Sequence, residues 1–444
     1  MWWQPLARQQ EKIEFMALLI ARLKHPSQFI QQVSSTLVIQ VLLLVLSTIN
    51  AAVVARVLGA EGKGVLQLTT LVPSMLGLFL SGGLSVANVH YIGTKRFTLA
   101  ALTANAMMFA LILTLFGFVI VWLSAILHWL EFIAPGVPLW LLLIALAGFP
   151  LSLLQGYLNA LLQGLQQIFT LNVLSLINGL LNLGLTLIFV LGFQQGVLGA
   201  VYALLITNAI SLVLLYIILR RQGGVFVPKW NKEVMKATAG LGLRGHVGNI
   251  LYFFNYRLDV FIVNYFLGLA SVGIYGVGTK MAELVWYFPN AVGFVIFPKA
   301  AATSAQEMNR FTPLVFRMTL ALSAVAGVGI ALVGRPLINL LYTNAFDGAY
   351  APLVALLPGV VLLGSARVLT NDIAGRGYPQ YNSINAALAL VLTVIFDFLL
   401  IPRMGILGAG IASSIAYSIT FLSALLFYQV VSRQSDPAAA IGKV

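Results

Sequence analysis

The sequence predicts an all-α polytopic membrane protein with about twelve transmembrane helices, arranged as two parallel six-helix lobes around a central cavity. Three observations predict this fold: the composition, the recurrence of long apolar runs, and an internal repeat. Of the 444 residues, 60% are hydrophobic and only 8% are charged, and the mean hydropathy is +0.97. Soluble domains have about 25% charged residues. The composition leaves no room for a soluble second domain.

Apolar runs of about 20 residues, the length that crosses about 30 Å of hydrocarbon, recur through the chain with short connectors between them. We place the spans near residues 30–55, 66–91, 98–123, 138–160, 170–192, 197–219, 241–266, 272–298, 313–341, 351–372, 381–402 and 405–431. An even number of spans brings both termini to the same side of the membrane.

The distribution of Lys and Arg predicts which side that is. The formal net charge is +13, which is also compatible with a nucleic-acid surface. However, 17 of the 25 Lys and Arg residues fall on the side of the termini, and the opposite side has Arg56, Lys63, Arg335 and Arg403. Positive charge accumulates in cytoplasmic connectors. We therefore expect cytoplasmic termini and a cytoplasmic loop at 220–236, with no nucleic-acid partner.

The sequence lacks the usual motifs of secretion, metal binding and catalysis. No cleavable signal peptide is evident, and the segment 11–26 is either a helix on the cytoplasmic membrane surface or a start-site extension. Cysteine is absent, and His90 and His246 have no second histidine at ligand spacing. There is no nucleophile motif, phosphate loop or carboxylate pair. We expect no catalytic residue, metal or cofactor, and hence no enzyme.

The sequence contains an internal repeat. The stretch "LGAEGKGV" (58–65) matches "LGLASVGI" (267–274), and "GVLGAVYALLITNAIS" (196–211) matches "GILGAGIASSIAYSIT" (405–420), both at an offset of 209 residues. Repeats with an even number of spans are parallel, a transporter architecture in which two lobes rock around a central cavity. The predicted organisation is an N-terminal cytoplasmic or interfacial segment (1–29), a first lobe (30–219), a cytoplasmic linker (220–240), a second lobe (241–431) and a cytoplasmic tail (432–444).

Three stretches carry a resemblance to a known family: "ARVLGAEGKGV", "NYRLDVFIVNYFLGLASVGIYGVGTKMAELVWYFPNAVGFVIFPKAA" and "LIPRMGILGAGIASSIAYS". They resemble the polysaccharide and O-antigen flippase (Wzx-like) family of the MOP superfamily. The resemblance implies a bacterial inner-membrane flippase whose cationic cavity takes an anionic lipid-linked sugar, alongside the glycosyltransferases and polymerase of the same pathway and the surrounding membrane lipids. Residue by residue, it fits best at Arg257 and Asp259.

Arg257 and Asp259 are two positions apart on a helix, so they differ by about 200° and do not face each other. Arg257 shares its face with a polar stripe, which consists of His246, Asn249 and Asn264 together with Phe253. Asp259 instead lies with Tyr252 and Asn255, on the side that we expect to meet a neighbouring helix. Arg257 is therefore expected in a wet cavity, and Asp259 is expected to have a structural partner, with ion coupling as the alternative.

Other intramembrane polar residues extend this picture. In the second span, one narrow face carries Gln67, Ser74, Ser81, Ser85 and Asn88. Lys280, Glu283 and Tyr287 are stacked in the eighth span, Arg367 is one turn from Asn371 in the tenth, and Arg56 ends the first. Asp397 is near the end of its span, where water is expected to reach it. Lys280 either lines the cavity or only pairs with Glu283, and Arg56 and Arg367 either line it or extend to an interface.

Guanidinium and ammonium groups suit a diphosphate through charge-assisted hydrogen bonds, and Arg56, His246, Arg257, Lys280 and Arg367 are the candidates to supply them. A multidrug antiporter of the related MATE branch is the first alternative, but it requires carboxylates in the cavity. Here Arg244, Arg257, Lys280 and Arg367 stand against Asp259, Glu283 and Asp397, which favours an anionic cargo. The second alternative is a polysaccharide polymerase or ligase, which would need a long periplasmic loop.

Overall fold

The computed structural model describes the backbone of residues 28–434, and the side chains of residues 38–433 except at positions 244, 245, 294, 298, 301 and 302. All regular elements in this part of the chain are helical, so the all-α prediction is confirmed there. The surface helix predicted before residue 28, most of the predicted tail and the side chain of Arg244 lie outside the described residues.

The described chain contains thirteen α-helices, which we label in order. They are α1 (Gln28–Leu80), α2 (Leu84–Gly93), α3 (Leu99–Ile126), α4 (Trp129–Ile133), α5 (Leu139–Leu146), α6 (Phe149–Gly164), α7 (Ile168–Thr186), α8 (Gly196–Arg221), α9 (Lys232–Glu283), α10 (Tyr287–Ala302), α11 (Ala305–Tyr342), α12 (Tyr350–Gly375) and α13 (Gln380–Gln434). A π-helical turn (Leu187–Gly192) extends α7. Two 3₁₀ turns, Leu284–Trp286 and Asn344–Ala349, precede α10 and α12.

Nine helical stretches of the described chain are long and apolar enough to cross a membrane, which makes this a multi-pass membrane protein. Three of them, Val38–Leu80, His246–Phe297 and Gln380–Arg433, contain 43, 52 and 54 residues. At about 1.5 Å per residue they measure roughly 65–80 Å, about twice the thickness of the hydrocarbon core. Each of the three is long enough to cross twice. These lengths are compatible with the twelve-span map, which stays a prediction.

Single glycines interrupt the three longest helices. Gly59 in α1 (φ 68°, ψ −173°), Gly268 in α9 (φ 77°, ψ 179°) and Gly405 in α13 (φ 63°, ψ −146°) have non-helical backbone angles. Gly196, where α8 begins, also has a positive φ of 59°. This region of backbone space is nearly restricted to glycine. The glycines paired at an offset of 209 residues thus all lie where a helical segment begins: Gly59, Gly268 and Gly405 each separate two segments, and Gly196 begins α8 after the π-helical turn has ended at Gly192.

The predicted second span is not one continuous helix. It breaks between α1 and α2 at Ser81, Gly82 and Gly83, and the two glycines have φ values of 57° and 68°. A break of this kind rotates the following residues relative to those before it. The single polar face expected along this span therefore does not continue past Ser81.

The two sequence halves touch at two glycine contacts. One is at Gly64, shortly after the break in α1, and the other is at Gly83, shortly after α1 ends. A Cβ atom on Gly64 would lie 1.8 Å from the carbonyl oxygen of Leu269, and one on Gly83 would lie 2.2 Å from that of Gly242. Only residues without a side chain permit such a close approach of two backbones. Between these contacts, the largest buried apolar cluster joins α1, α9, α11 and α12, with Leu68, Val263, Ile338 and Leu353 among its members.

Candidate functional site

A cavity of about 790 Å³ lies between the N-terminal half (the residues before 220) and the C-terminal half (those after 240). Its walls come from α1, α7 and α8 on one side and from α9, the 3₁₀ turn after it, α10 and α11 on the other. We call this space the chamber. The helices α1 and α9 each supply wall residues from both sides of their glycine break.

Among the described residues, four charged ones line the chamber: Lys63, Arg257, Lys280 and Glu283. The Arg257 Nη1 atom is 3.0 Å from Glu283 Oε1, and the Lys280 Nζ atom is 3.4 Å from Glu283 Oε2. The Glu283 side chain is 16% exposed and that of Lys280 is 69% exposed. One carboxylate therefore bridges two cations, and with Lys63 the lining has two more positive than negative groups.

Lys63 was missed by the sequence reasoning. The predicted map placed it in a connector, whereas α1 resumes directly after Gly59 and includes it. Its Nζ atom lies 6.0 Å from the centre of the Tyr342 ring of α11. Lys63 is four residues before Gln67, which was assigned to a polar face. This spacing places both residues on the same side of a helix and could have identified Lys63.

Apart from Lys63, the polar residues that the described N-terminal half contributes to the chamber are neutral. These are Ser47, Thr48, Asn50, Gln67, Thr70, Ser74 and Asn182. The Asn50 Nδ2 atom donates to Asn182 Oδ1 at 3.0 Å, which ties α1 to α7. Of the residues expected on one face of the second span, Gln67 and Ser74 line the chamber, whereas Ser85 and Asn88 do not. Their side chains donate to the carbonyl oxygens of Gly156 and Tyr157 in α6, at 3.3 Å each.

The structure does not bring the predicted polar stripe of α9 to Arg257. His246 is buried with its Nε2 atom 3.1 Å from the carbonyl oxygen of Phe79, and Asn264 is buried and donates to that of Pro135 at 3.0 Å. Asn249 is exposed outside the chamber lining. The physical reason is depth: residues seven to eleven positions apart are roughly 10–16 Å apart along a helix and meet different neighbours.

Asp259 is buried at 3% exposure and bonded within its own helix. The Tyr275 hydroxyl donates to its Oδ2 atom at 2.6 Å, and the Val260 backbone N–H donates to Oδ1 at 2.8 Å. Tyr275 follows the break at Gly268, so this bond joins the two segments of α9. Tyr252 and Asn255, which were placed on the same helix face as Asp259, line a second cavity.

Asp397 is completely buried, so the expectation that water reaches it is wrong. Within the described part of the chain, neither of its carboxylate oxygens has a hydrogen-bond partner. The Thr393 hydroxyl of α13 donates to the Asn255 side-chain oxygen of α9 at 3.3 Å. Asp397 and Asp259 each come four residues, about one turn, after these bonded residues. The two carboxylates are therefore in the same layer between α9 and α13.

Arg367 lines the second cavity, which measures about 200 Å³ and lies within the C-terminal half. Its guanidinium carbon is 4.5 Å from the Trp286 ring centre. The guanidinium donates to the side chain of Asn290 and, at 3.5 Å, to the Tyr256 hydroxyl. Arg367 and Asn371 are together as predicted, since the Asn371 Nδ2 atom donates to the Arg367 carbonyl at 2.7 Å. They do not line the chamber.

Arg56 is outside both cavity linings. Its exposed side chain donates to the carbonyl oxygens of Leu341, at 2.9 Å, and of Leu340. These are among the last carbonyls of α11, which have no partner within the helix. Arg56 therefore caps a helix of the C-terminal half from the N-terminal half.

Comparisons with known proteins agree with this geometry. The fold matches an inward-facing multidrug resistance MATE family transporter of the MOP superfamily, with a TM-score of 0.73 and 17% identity over 88% of this chain and 95% of that one. It also matches the lipid II flippase MurJ in an inward closed conformation, with a TM-score of 0.74 and 15% identity over 90% of each chain. The chain therefore has the helical fold that these two structures share.

The family is defined more narrowly by sequence. A model described as "Polysaccharide biosynthesis protein" matches residues 53–351, more than half of the chain, and the protein belongs to that family. A relative from Haloferax volcanii, named as a probable low-salt glycan biosynthesis flippase (Agl15), is 22% identical over 38% of this chain and 36% of its own. The matched regions span between 36% and 50% of the lengths of the curated relatives.

Proposed function

We propose that this protein is a flippase, which moves a polyprenyl-diphosphate-linked oligosaccharide from the cytoplasmic to the periplasmic leaflet for cell-surface polysaccharide export. The observation that carries the proposal is the charge of the chamber between the halves, where Lys63, Arg257 and Lys280 face a single carboxylate, Glu283. Charged groups at membrane depth are costly and mark the path of a substrate. The family membership and the relatives named as flippases support the same function.

The arrangement around Glu283 supports a specific mode of binding. Its two oxygens hold Arg257 and Lys280 at 3.0 and 3.4 Å, and so keep both cations in place before the cargo arrives. A diphosphate offers the same kind of oxygen acceptor with more charge. It would take over donors from the carboxylate, and the planar fork of Arg257 could bind two of its oxygens at once.

Movement of the cargo follows an alternating-access scheme in this proposal. The headgroup occupies the chamber, the lipid tail stays among the membrane lipids, and the lobes at 30–219 and 241–431 rock against each other. The glycine contacts at Gly64 and Gly83 let the halves close on either end of the chamber. Glycosyltransferases and the polymerase of the same pathway are the proposed upstream and downstream partners.

We further propose that the protein lies in a bacterial inner membrane with both termini and the 220–240 linker in the cytoplasm. The excess of Lys and Arg on that side supports this topology. Reporter fusions at Gln222 and at Val444 test it. A periplasmic signal from either fusion would overturn the map.

A cation-coupled multidrug antiporter is the main competing function, because the fold is shared with MATE transporters. The charge of the chamber lining opposes it, since a cationic drug would meet three cations and one carboxylate. Asp259 and Asp397 are both buried outside that lining. We therefore favour an anionic cargo.

Reconstituted vesicles provide the test. A polyprenyl-diphosphate-linked disaccharide is placed in both leaflets, and an impermeant reagent that modifies its sugar reports the outer fraction. Wild-type protein should make all of the lipid accessible, and the double variant Arg257→Ala with Lys280→Ala should resemble protein-free vesicles. Arg335→Ala is the matched control, because Arg335 pairs with Asp347 at 2.8 Å outside the chamber. Transport of a cationic dye without lipid flipping would refute the proposal.

A further inference from the structure

The second cavity is built within the C-terminal half, on the other side of α9 from the chamber. Tyr256 lines it, and the next residue, Arg257, lines the chamber. Likewise Trp286 stacks under Arg367 beside the second cavity, while Tyr287 lines the chamber. The two spaces therefore flank the same turn of α9 and the same 3₁₀ turn. A ligand group bound in one is close to a group bound in the other.

Four of the polar groups that line the second cavity are neutral amides in fixed orientations. Asn371 and Asn382 use their amide nitrogens to bond backbone carbonyls, at 2.7 and 2.9 Å. Their side-chain oxygens are left as acceptors. Asn255 and Asn385 do the reverse, since their oxygens accept from Thr393 and Ser423. Their amide nitrogens are left as donors. These four amides thus present two acceptors and two donors on three helices. Each amide is held in place by the hydrogen bond that its other polar atom makes.

Aromatic rings form the side of this cavity nearest the chamber. Tyr252 and Tyr256 are stacked with ring centres 6.4 Å apart, and Tyr256 meets the Trp286 ring at 5.3 Å. A pocket with apolar ring faces and a few oriented amides suits a ligand that has both C–H surfaces and hydroxyl groups. A sugar ring has both.

Volume and charge narrow the ligand further. The space of about 200 Å³ equals roughly seven water molecules at about 30 Å³ each, which is room for one sugar ring. Among the described residues that line it there is no carboxylate, and the one cation there, Arg367, is already bonded to Asn290 and Tyr256. The lining therefore suits a neutral polyhydroxyl ligand better than a diphosphate.

We propose that the second cavity is a subsite for one sugar unit of the cargo, separate from the chamber that takes the diphosphate. The proposal rests on the proposed flippase function. It assigns two recognition tasks to two spaces: charge is read in the chamber, and sugar identity is read by Asn255, Asn371, Asn382 and Asn385. A cargo with the wrong sugar would then bind through its diphosphate alone.

Thiol protection in the naturally cysteine-free chain tests each space separately. Thr370→Cys places a reporter in the second cavity and Ser74→Cys places one in the chamber. The full-length protein is held in lipid nanodiscs, and the probes are methyl glycosides of several hexoses, inorganic pyrophosphate, and erythritol as an acyclic control. At least one glycoside should slow labelling of the Thr370→Cys variant about threefold, the factor expected at twice its Kd. Pyrophosphate should protect only the Ser74→Cys variant.

The outcomes separate the two proposals. If no glycoside protects the Thr370→Cys variant while pyrophosphate protects the Ser74→Cys variant, the sugar subsite is wrong and the flippase proposal stands. If pyrophosphate protects neither variant and a glycoside still protects the Thr370→Cys variant, the diphosphate chamber is wrong and the sugar site stands.

A second variant tests whether the cavity serves transport. Ala386 is buried in its wall, and Ala386→Phe fills the space with an apolar ring. Flipping of a sugar-bearing polyprenyl diphosphate should fall about tenfold, and flipping of the bare polyprenyl diphosphate should not change. Ala324→Phe on an exposed position of α11 is the matched control. An equal loss for both lipids, with an unchanged melting temperature, would overturn the subsite.

Discussion

The backbone contact between α1 and α9 leads to a quantitative prediction about how the chamber closes. A Cβ atom on Gly273 would lie 2.0 Å from the carbonyl oxygen of Ala60, and ordinary contact begins at 3.4 Å. Gly273→Ala therefore requires the two backbones to separate by about 1.4 Å, the difference between these distances. Gly64→Ala, with a Cβ at 1.8 Å from the Leu269 carbonyl oxygen, requires about 1.6 Å. No side-chain rotation relieves either clash, because backbone atoms are on both sides.

The separation should shift the protein away from the closed arrangement. Overpacking a tight contact costs about 1–3 kcal/mol, which corresponds to a roughly 5- to 150-fold change in the ratio of closed to open molecules. The assay uses Ser74→Cys as the only thiol and an impermeant thiol reagent added on the side of Gly64. The labelling rate should rise within that range in both Gly64→Ala and Gly273→Ala.

Gly184→Ala in α7 is the control for this experiment, because a Cβ there meets nothing within 4 Å and the backbone stays helical. It should label at the same rate as the parent. Suppose instead that Gly64→Ala and Gly273→Ala label no faster than Gly184→Ala while their melting temperatures equal that of the parent. The contact would then not control access, and the reasoning would be refuted.

Three further predictions concern single side chains. Arg257→Lys keeps the charge but loses the planar fork, and Arg257→Ala loses both. At normal membrane abundance, flipping in vesicles should therefore fall about tenfold for the first variant and about a hundredfold for the second. Equal rates for wild type and Arg257→Ala would contradict this. Tyr275→Phe removes the donor to Asp259 at 2.6 Å, so thermal unfolding should show a loss of about 1.5–3 kcal/mol, and an unchanged unfolding curve would count against that bond. Arg376→Met leaves the buried Asp372, now 2.9 Å from the arginine, without its partner. This should cost about 3–5 kcal/mol, much of it recovered when Asp372→Leu is added, and no recovery would argue against the ion pair.

Much of the fold could be predicted because a bilayer leaves the backbone few choices. Without water, each spanning segment must satisfy its own hydrogen bonds, so apolar length alone indicates helices. The glycines at 59, 268, 196 and 405 could be paired by offset, since a side chain there would forbid the backbone angles that these turns require. Arg257, Lys280 and Glu283 are together because a charge buried in the membrane needs a partner or water.

The rest of the site depends on information that a helical wheel lacks. His246 and Asn264 share an angular position with Arg257 but are at other depths, so they meet Phe79 and Pro135 instead. The second cavity was missed for a different reason. Its amides come from α9, α12 and α13, and no spacing within one helix reveals that three helices converge.

The glycine turns in α1, α9 and α13 also determine how much of the protein can be reached from outside. On the face predicted to be periplasmic, three turns consist of single residues, Gly59, Gly268 and Gly405. An antibody, a protease or an inserted epitope needs a segment of chain that can be lifted away from the helices, and a one-residue turn offers none. An epitope at these positions would unwind two membrane segments, whereas one within 222–231, between α8 and α9, would lengthen an existing loop.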